Sequence, residues 1–169
     1  QIVGSPFSTA TVIGSAPYKS RIMVRRPAMP EKFNGVVVVE WTNVTSSYDH
    51  PVWWMRNHES LMRDGYAYVG IAAQRLAVHG VPDGLANWSP LRYGTLSHPG
   101  DDYSYDILSQ GIQAIRSVPA TLGGLPIRRV IVGGLSQSAA RLQIYANAIH
   151  PLHRVVDGLF LNIQINGGG

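Results

Sequence analysis

The chain has 169 residues, 45% hydrophobic and only 14% charged, with a formal net charge of +4. The length suits one domain with a buried core, and ordinary hydrophobicity with so little charge excludes a disordered, charge-driven chain. With no cysteine, disulfides, thiolate metal sites and cysteine nucleophiles are excluded.

In chain order, residues 18–26 read as a strand closed by Pro27. Val36-Val37-Val38-Val39 is a continuous β-branched run, the pattern of a strand buried on both faces of a parallel sheet. A polar loop begins at Trp41-Thr42-Asn43. Helical spacing follows over 53–63, stopped by Asp64-Gly65. A second strand is expected over 66–72, then a long irregular segment over 74–100, rich in glycine and proline. A loop of that length is expected to have a task. Asp101-Asp102 should open a helix running to about Val118, with the acidic residues at its positive end. A short buried strand over 129–133, a helix over 136–149 ended by His150-Pro151, and a last strand over 155–165 complete the series. Strands alternating with helices predict a mostly parallel α/β sheet with right-handed crossovers and flanking helices.

Arg25-Arg26 and Arg128-Arg129 are isolated basic doublets, and no run of four or more Lys or Arg exists, so no nucleic-acid partner is expected. No apolar stretch approaches ~18 residues, so no membrane span is expected. Residues 150 and 153 have the spacing of a metal pair, but Pro151 should break the helix that would align them, and no metal or cofactor is expected. The sequons Asn43-Val44-Thr45 and Asn87-Trp88-Ser89 read as chance. The composition leaves the compartment open.

The sharpest signal is Val130-Ile131-Val132-Gly133-Gly134-Leu135-Ser136-Gln137-Ser138-Ala139-Ala140. A buried strand runs into Gly-x-Ser-x-Ser and then directly into a helix, the context of a nucleophile elbow. The serine at such a turn sits on a sharp, strained backbone, and the residues two places either side must be small. Gly134 and Ser138 meet that need. An oxyanion hole requires two donors. The N–H of Gln137 is the first candidate, and Asn43 or its immediate neighbour, in the loop after the 36–39 strand, is the second. The serine also needs a histidine base and a carboxylate. After Ser136 only His150, His153 and Asp157 remain. At ~1.5 Å rise per residue His150 lies ~20 Å along the helix from the serine, and Asp157 opens the last strand at the wrong edge. His79 and His98 precede the serine, in the long segment.

The chain resembles the large, mostly bacterial family of α/β-hydrolase domain proteins with carboxylesterase-like features. The resemblance is carried by Phe33-Asn34-Gly35 through Glu40-Trp41-Thr42-Asn43, by Arg63-Asp64-Gly65-Tyr66, by Trp88-Ser89-Pro90, Arg92-Tyr93-Gly94 and Ser104-Tyr105-Asp106, and above all by Gly133 to Ala139. It implies an α/β-hydrolase fold, Ser136 as nucleophile and an ester-type acyl substrate. Members of that family are longer and draw their acid and histidine from a later region. The resemblance therefore implies that residues 1–169 form the N-terminal part of one such domain, incomplete at its C-terminal side and inactive by itself. Its partners would be a small-molecule ester and the remainder of the hydrolase domain. Trp41, Trp88 and Tyr93 are candidates for the substrate pocket. A non-catalytic binding or scaffold protein keeping the fold, or one piece of a multi-chain assembly, are the alternatives.

Overall fold

The computed structural model describes the backbone of Ile2–Val3 and all of residues 10–162. Strands β1 (Ile2–Val3) and β2 (Thr11–Val12) form a small antiparallel pair. The main sheet contains β3 (Ile22–Arg25), β4 (Val36–Trp41), β5 (Ala67–Ile71), β6 (Arg129–Leu135) and β7 (Gly158–Asn162), in the spatial order β3-β5-β4-β6-β7. Only β3 is antiparallel to its neighbour; the other four strands run parallel. The expected mostly parallel sheet is what the chain forms.

The valine run makes β4 the central strand, buried from Val37 to Trp41. From β4 the chain steps out to β5, then returns past β4 to β6. The crevice between the carboxyl ends of β4 and β6 is therefore the topological switch point, where open α/β sheets place their ligands.

Side chains divide by period 2 between the two faces. Val37, Val39 and Trp41 share one face with Ile71, Val130 and Val132, under α5 (Ser104–Ser117) and α6 (Gln137–Ile144). Ile107, Leu108, Ile112 and Ile115 supply the apolar stripe of α5. The opposite face is covered by α1 (Val52–Arg63), which ends where Gly65 takes φ +77. The N-terminus of α1 is capped from the sheet: Glu40, 1% exposed, accepts from the N–H groups of Trp53 (2.9 Å) and Trp54 (3.2 Å) and from Tyr68 Oη (2.6 Å). Burial pushes its carboxyl pKa up, against the lowering pull of these donors. Between α1 and β7 an apolar groove of about 540 Å³ remains, with Ile131, Leu61 and the 55%-exposed Phe160 along it.

Four expectations need correction. The 18–26 strand pairs only over Ile22–Arg25, because Lys19 leaves the sheet to bridge Ser97. The 74–100 segment is not structureless: α2 (Arg75–His79), α3 (Leu85–Trp88) and α4 (Pro90–Tyr93) are single turns punctuated by its glycines and prolines. The helix after Ser136 does not end at Pro151. It passes through a π-type turn, Tyr145–Ile149, into α7 (His150–His153). Pro151 stands in the first turn of α7, directly after the wider π-type turn. The expected last strand begins at Gly158; its residues 163–165 lie outside the described residues.

Asp157 sits at the amino end of β6 and β7, the opposite end of the sheet from Ser136. It accepts from the Val130 N–H (2.7 Å) and pairs with Arg116. Burial alone would raise its pKa, but the Val130 N–H and Arg116 outweigh that and hold the carboxyl below the ordinary Asp value. A depressed folded pKa gives stability that is present above the unfolded value of ~3.9 and lost as pH falls through the folded value. The urea midpoint of wild type should therefore fall more steeply than that of Asp157→Asn between about pH 4 and pH 2. Equal slopes would show that this carboxylate does not carry the acid sensitivity.

Candidate active site

Ser136 joins β6 to α6 with φ 59° and ψ −115°, one of three non-glycine residues with positive φ among the described residues. Such a backbone costs roughly 1–3 kcal/mol and persists only where the surroundings over-determine it. They do so here through three backbone anchors. The Ser136 N–H donates to Asn162 O on β7 (2.9 Å), and the Ser136 carbonyl accepts from the Ala140 N–H (3.1 Å). The carbonyl of the preceding Leu135 accepts from Asn43 Nδ2 (2.9 Å), reaching across from the end of β4.

The smallness demanded at the turn is visible as distances. A Cβ on Gly134 would meet Ser138 Cβ at 2.8 Å and Leu142 Cδ1 at 3.1 Å. Gly133 is tighter for a reason local sequence does not show: the Trp53 indole of α1 lies against it, and a Cβ there would fall 1.6 Å from a ring carbon. Ser136 and Gln137 are half-buried, while Ser138 and Ala139 are fully buried. Gln137 opens α6, so its N–H lies in the first turn, which has no intrahelical acceptor to offer.

Asn43 stands at the switch point, 6% exposed. Its own main-chain N–H is taken by His50 O (2.9 Å), and Asn43 Oδ1 accepts from the Thr45 N–H (2.9 Å). Its neighbour Val44 has a main-chain N–H with no partner among the described residues. Asn43 thus shapes the loop and ties it to the turn, and the free donor is Val44. The far end of the loop is tied to the β3 edge by the Asp49–Arg21 ion pair, with the Asp49 side chain 2% exposed. Both sequon asparagines have Nδ2 engaged, Asn43 on Leu135 and Asn87 on Gly80 O (2.9 Å).

The three aromatic candidates separate. Trp41 has no exposed surface; it packs edge-on against Tyr105 and donates its indole N–H to Gln74. It is a core residue beneath the site. Trp88 is 62% exposed and stacks on Tyr93, whose ring also faces Arg21 at 5.7 Å. Trp88 borders a cavity of about 430 Å³ with Arg21 and Asp49, against β3. At ~4.8 Å per strand, β3 lies about 14 Å from β6. The described residues do not bring Trp88 or Tyr93 onto Ser136.

All six histidines of the chain are placed, and none hydrogen-bonds Ser136 Oγ. His98 is buried: Nε2 donates to Ala73 O (2.8 Å) and Nδ1 accepts from the Gly100 N–H (3.2 Å). Burial pushes its pKa down, so it stays a neutral pin for the loop. His79 accepts from the His98 N–H (3.1 Å), and His153 contacts Ser109 Oγ (2.7 Å) on α5. Sequence reasoning reached Val44 only as the immediate neighbour of Asn43, and it missed Gln74, which receives the Gln137 side chain (3.0 Å). The only local sign of Gln74 was a polar residue two places after the expected 66–72 strand.

A mostly parallel sheet with helices on both faces, and a sharp strand-to-helix serine at its switch point, define the α/β hydrolase class. The family described as an alpha/beta hydrolase domain matches residues 5–168, and the chain belongs to that family. Comparison with the curated proteins finds no match.

Proposed function

We propose that the chain carries the nucleophile half of a serine hydrolase acting on carboxylic esters. The observation that supports this most is the positive-φ Ser136 at the carboxyl end of β6, with the N–H groups of Gln137 and of Val44, next to Asn43, unengaged among the described residues. In this reading Ser136 Oγ attacks the acyl carbon as a base takes its proton. The two amides receive the charge that develops on the carbonyl oxygen. The ester C–O bond breaks, the alcohol leaves with the proton, and water then hydrolyses the acyl-serine to the acid. Asn43 holds the Val44 amide in place. Trp88 and Tyr93 remain candidate substrate contacts, reached only by a substrate extending toward β3.

The base and its carboxylate come from polypeptide beyond residue 169, in the same or another chain, and the groove beside β7 is a natural place for it to pack. The full-length protein should label with a fluorophosphonate probe at Ser136, whereas the 169-residue chain alone should show no ester turnover. Turnover by the 169-residue chain that vanishes in Ser136→Ala would overturn the second statement.

That none of the six histidines hydrogen-bonds Ser136 Oγ also favours a second reading, a binding or scaffold protein that keeps the hydrolase fold. Absence of labelling in the full-length protein would select it.

A further inference from the structure

The candidate oxyanion amide belongs to Gln137, and the Gln137 side chain enters a buried polar chain that the proposed reaction does not itself use. Gln74, 2% exposed in the loop after β5, stands at its centre. Gln74 Oε1 accepts from Trp41 Nε1 (3.0 Å) and from Gln137 Nε2 (3.0 Å), while Gln74 Nε2 donates to Asp101 Oδ2 (3.4 Å). Asp101 also accepts from the Arg75 N–H (2.7 Å) and from Arg141 Nη2 (3.3 Å).

The amide orientations in this chain are not free. An indole N–H can only donate and a carboxylate can only accept, so Trp41 and Asp101 between them fix which end of Gln74 faces which way. Gln74 then offers Gln137 an acceptor and nothing else, so Gln137 must turn its Nε2 inward. Its Oε1 is left buried, without a partner among the described residues. Gln137 and Arg141 lie one turn apart on α6, and both are held by the same unit, Gln74 and Asp101. The first turn of the nucleophile helix is thereby clamped to the ends of β4 and β5 and to the start of α5.

What needs clamping is the Ser136–Gln137 peptide plane. Its orientation sets where the Gln137 N–H points, and Ser136 holds a ψ that ordinary backbone preference does not maintain. We propose that Gln74 is a positioning residue that aims the Gln137 N–H at the developing oxyanion, through the Gln137 side chain. The inference rests on the serine-hydrolase reading of the site. It assigns Gln74 a part in the transition state and none in ground-state binding.

The test is steady-state hydrolysis of p-nitrophenyl acetate by the full-length protein. Gln74→Met keeps the volume and removes both hydrogen-bonding ends. It should lower kcat about 30-fold while KM moves less than about threefold, because a misaimed donor is felt only where charge develops. Gln137→Met, which keeps the backbone amide and cuts the same link from its more exposed end, should reproduce the loss even if Gln74→Met fails to fold. Because the link is shared, the double variant should be no slower than the worse single variant. A kcat for Gln137→Met within threefold of wild type, a loss confined to KM, or fully multiplicative losses would each overturn the positioning role. Wild-type protein that never labels at Ser136 would overturn the reading beneath it, a result distinct from the other three.

Discussion

Ser136→Ala in the full-length protein is expected to lower kcat/KM for p-nitrophenyl acetate by roughly 10⁶-fold and to abolish fluorophosphonate labelling, with the fold retained. The magnitude is that of losing a nucleophile while oxyanion donors and binding groups remain. Alanine at this position inherits the same φ of 59°, so it removes the chemistry without removing the strain. Ser136→Gly removes both. Glycine adopts positive φ freely, and after its own entropic cost the stability should rise by about 1 kcal/mol over the alanine variant, read as a higher urea midpoint. The pair of variants separates the two properties of one residue. Activity surviving in Ser136→Ala would remove the serine from the reaction. Equal stability of the two variants would show that the turn is not strained.

Gly133→Ala is expected to have the largest effect on folding of any single methyl addition at the turn. A Cβ there would lie 1.6, 2.1 and 2.4 Å from three carbons of the Trp53 ring. Room for the ring lies only on the side of the groove it borders, and its packing opposes that shift. Trp53 is 8% exposed and packs on Phe160 at 5.2 Å, and its backbone N–H is held by Glu40. The clash therefore pushes α1 off the sheet face, at a cost of about 3 kcal/mol. Trimming the ring should recover most of it: Gly133→Ala combined with Trp53→Leu should be more stable than the sum of the two single losses implies. Additive losses in the urea midpoints would mean that the indole does not set the size limit at Gly133. Gly134→Ala should cost less, since its nearest contacts begin at 2.8 Å.

The parts of the fold legible in the sequence were those set by neighbours in the chain. The β-branched run 36–39 became the buried central strand, and the strand–turn–helix around Ser136 was readable from eleven consecutive residues. Small residues at Gly134 and Ser138 follow from the turn itself. Boundaries governed by distant partners were less readable. Nothing local says that Lys19 would leave the sheet for Ser97, or that a helix would run on through Pro151. Trp41 illustrates the difference in the site. Its position at the end of the central strand matches a pocket residue and a core residue equally well, and only its complete burial decides for the core.

By itself, then, the sequence determined the class of fold, the strand order of events along the chain and the residue that stands at the turn. These depend on periodicity, on turn chemistry and on the sizes of side chains two places apart. The tertiary structure alone decided what supports that residue. Asn43 reaches Leu135 across 92 positions of chain, Gln137 reaches Gln74 across 63 and Trp41 reaches Gln74 across 33. Gly133 is confined by a ring 80 positions away. Such contacts arise where the crossovers bring the carboxyl ends of β4, β5 and β6 together, and a hydrogen bond of 3 Å exists only once that path is closed.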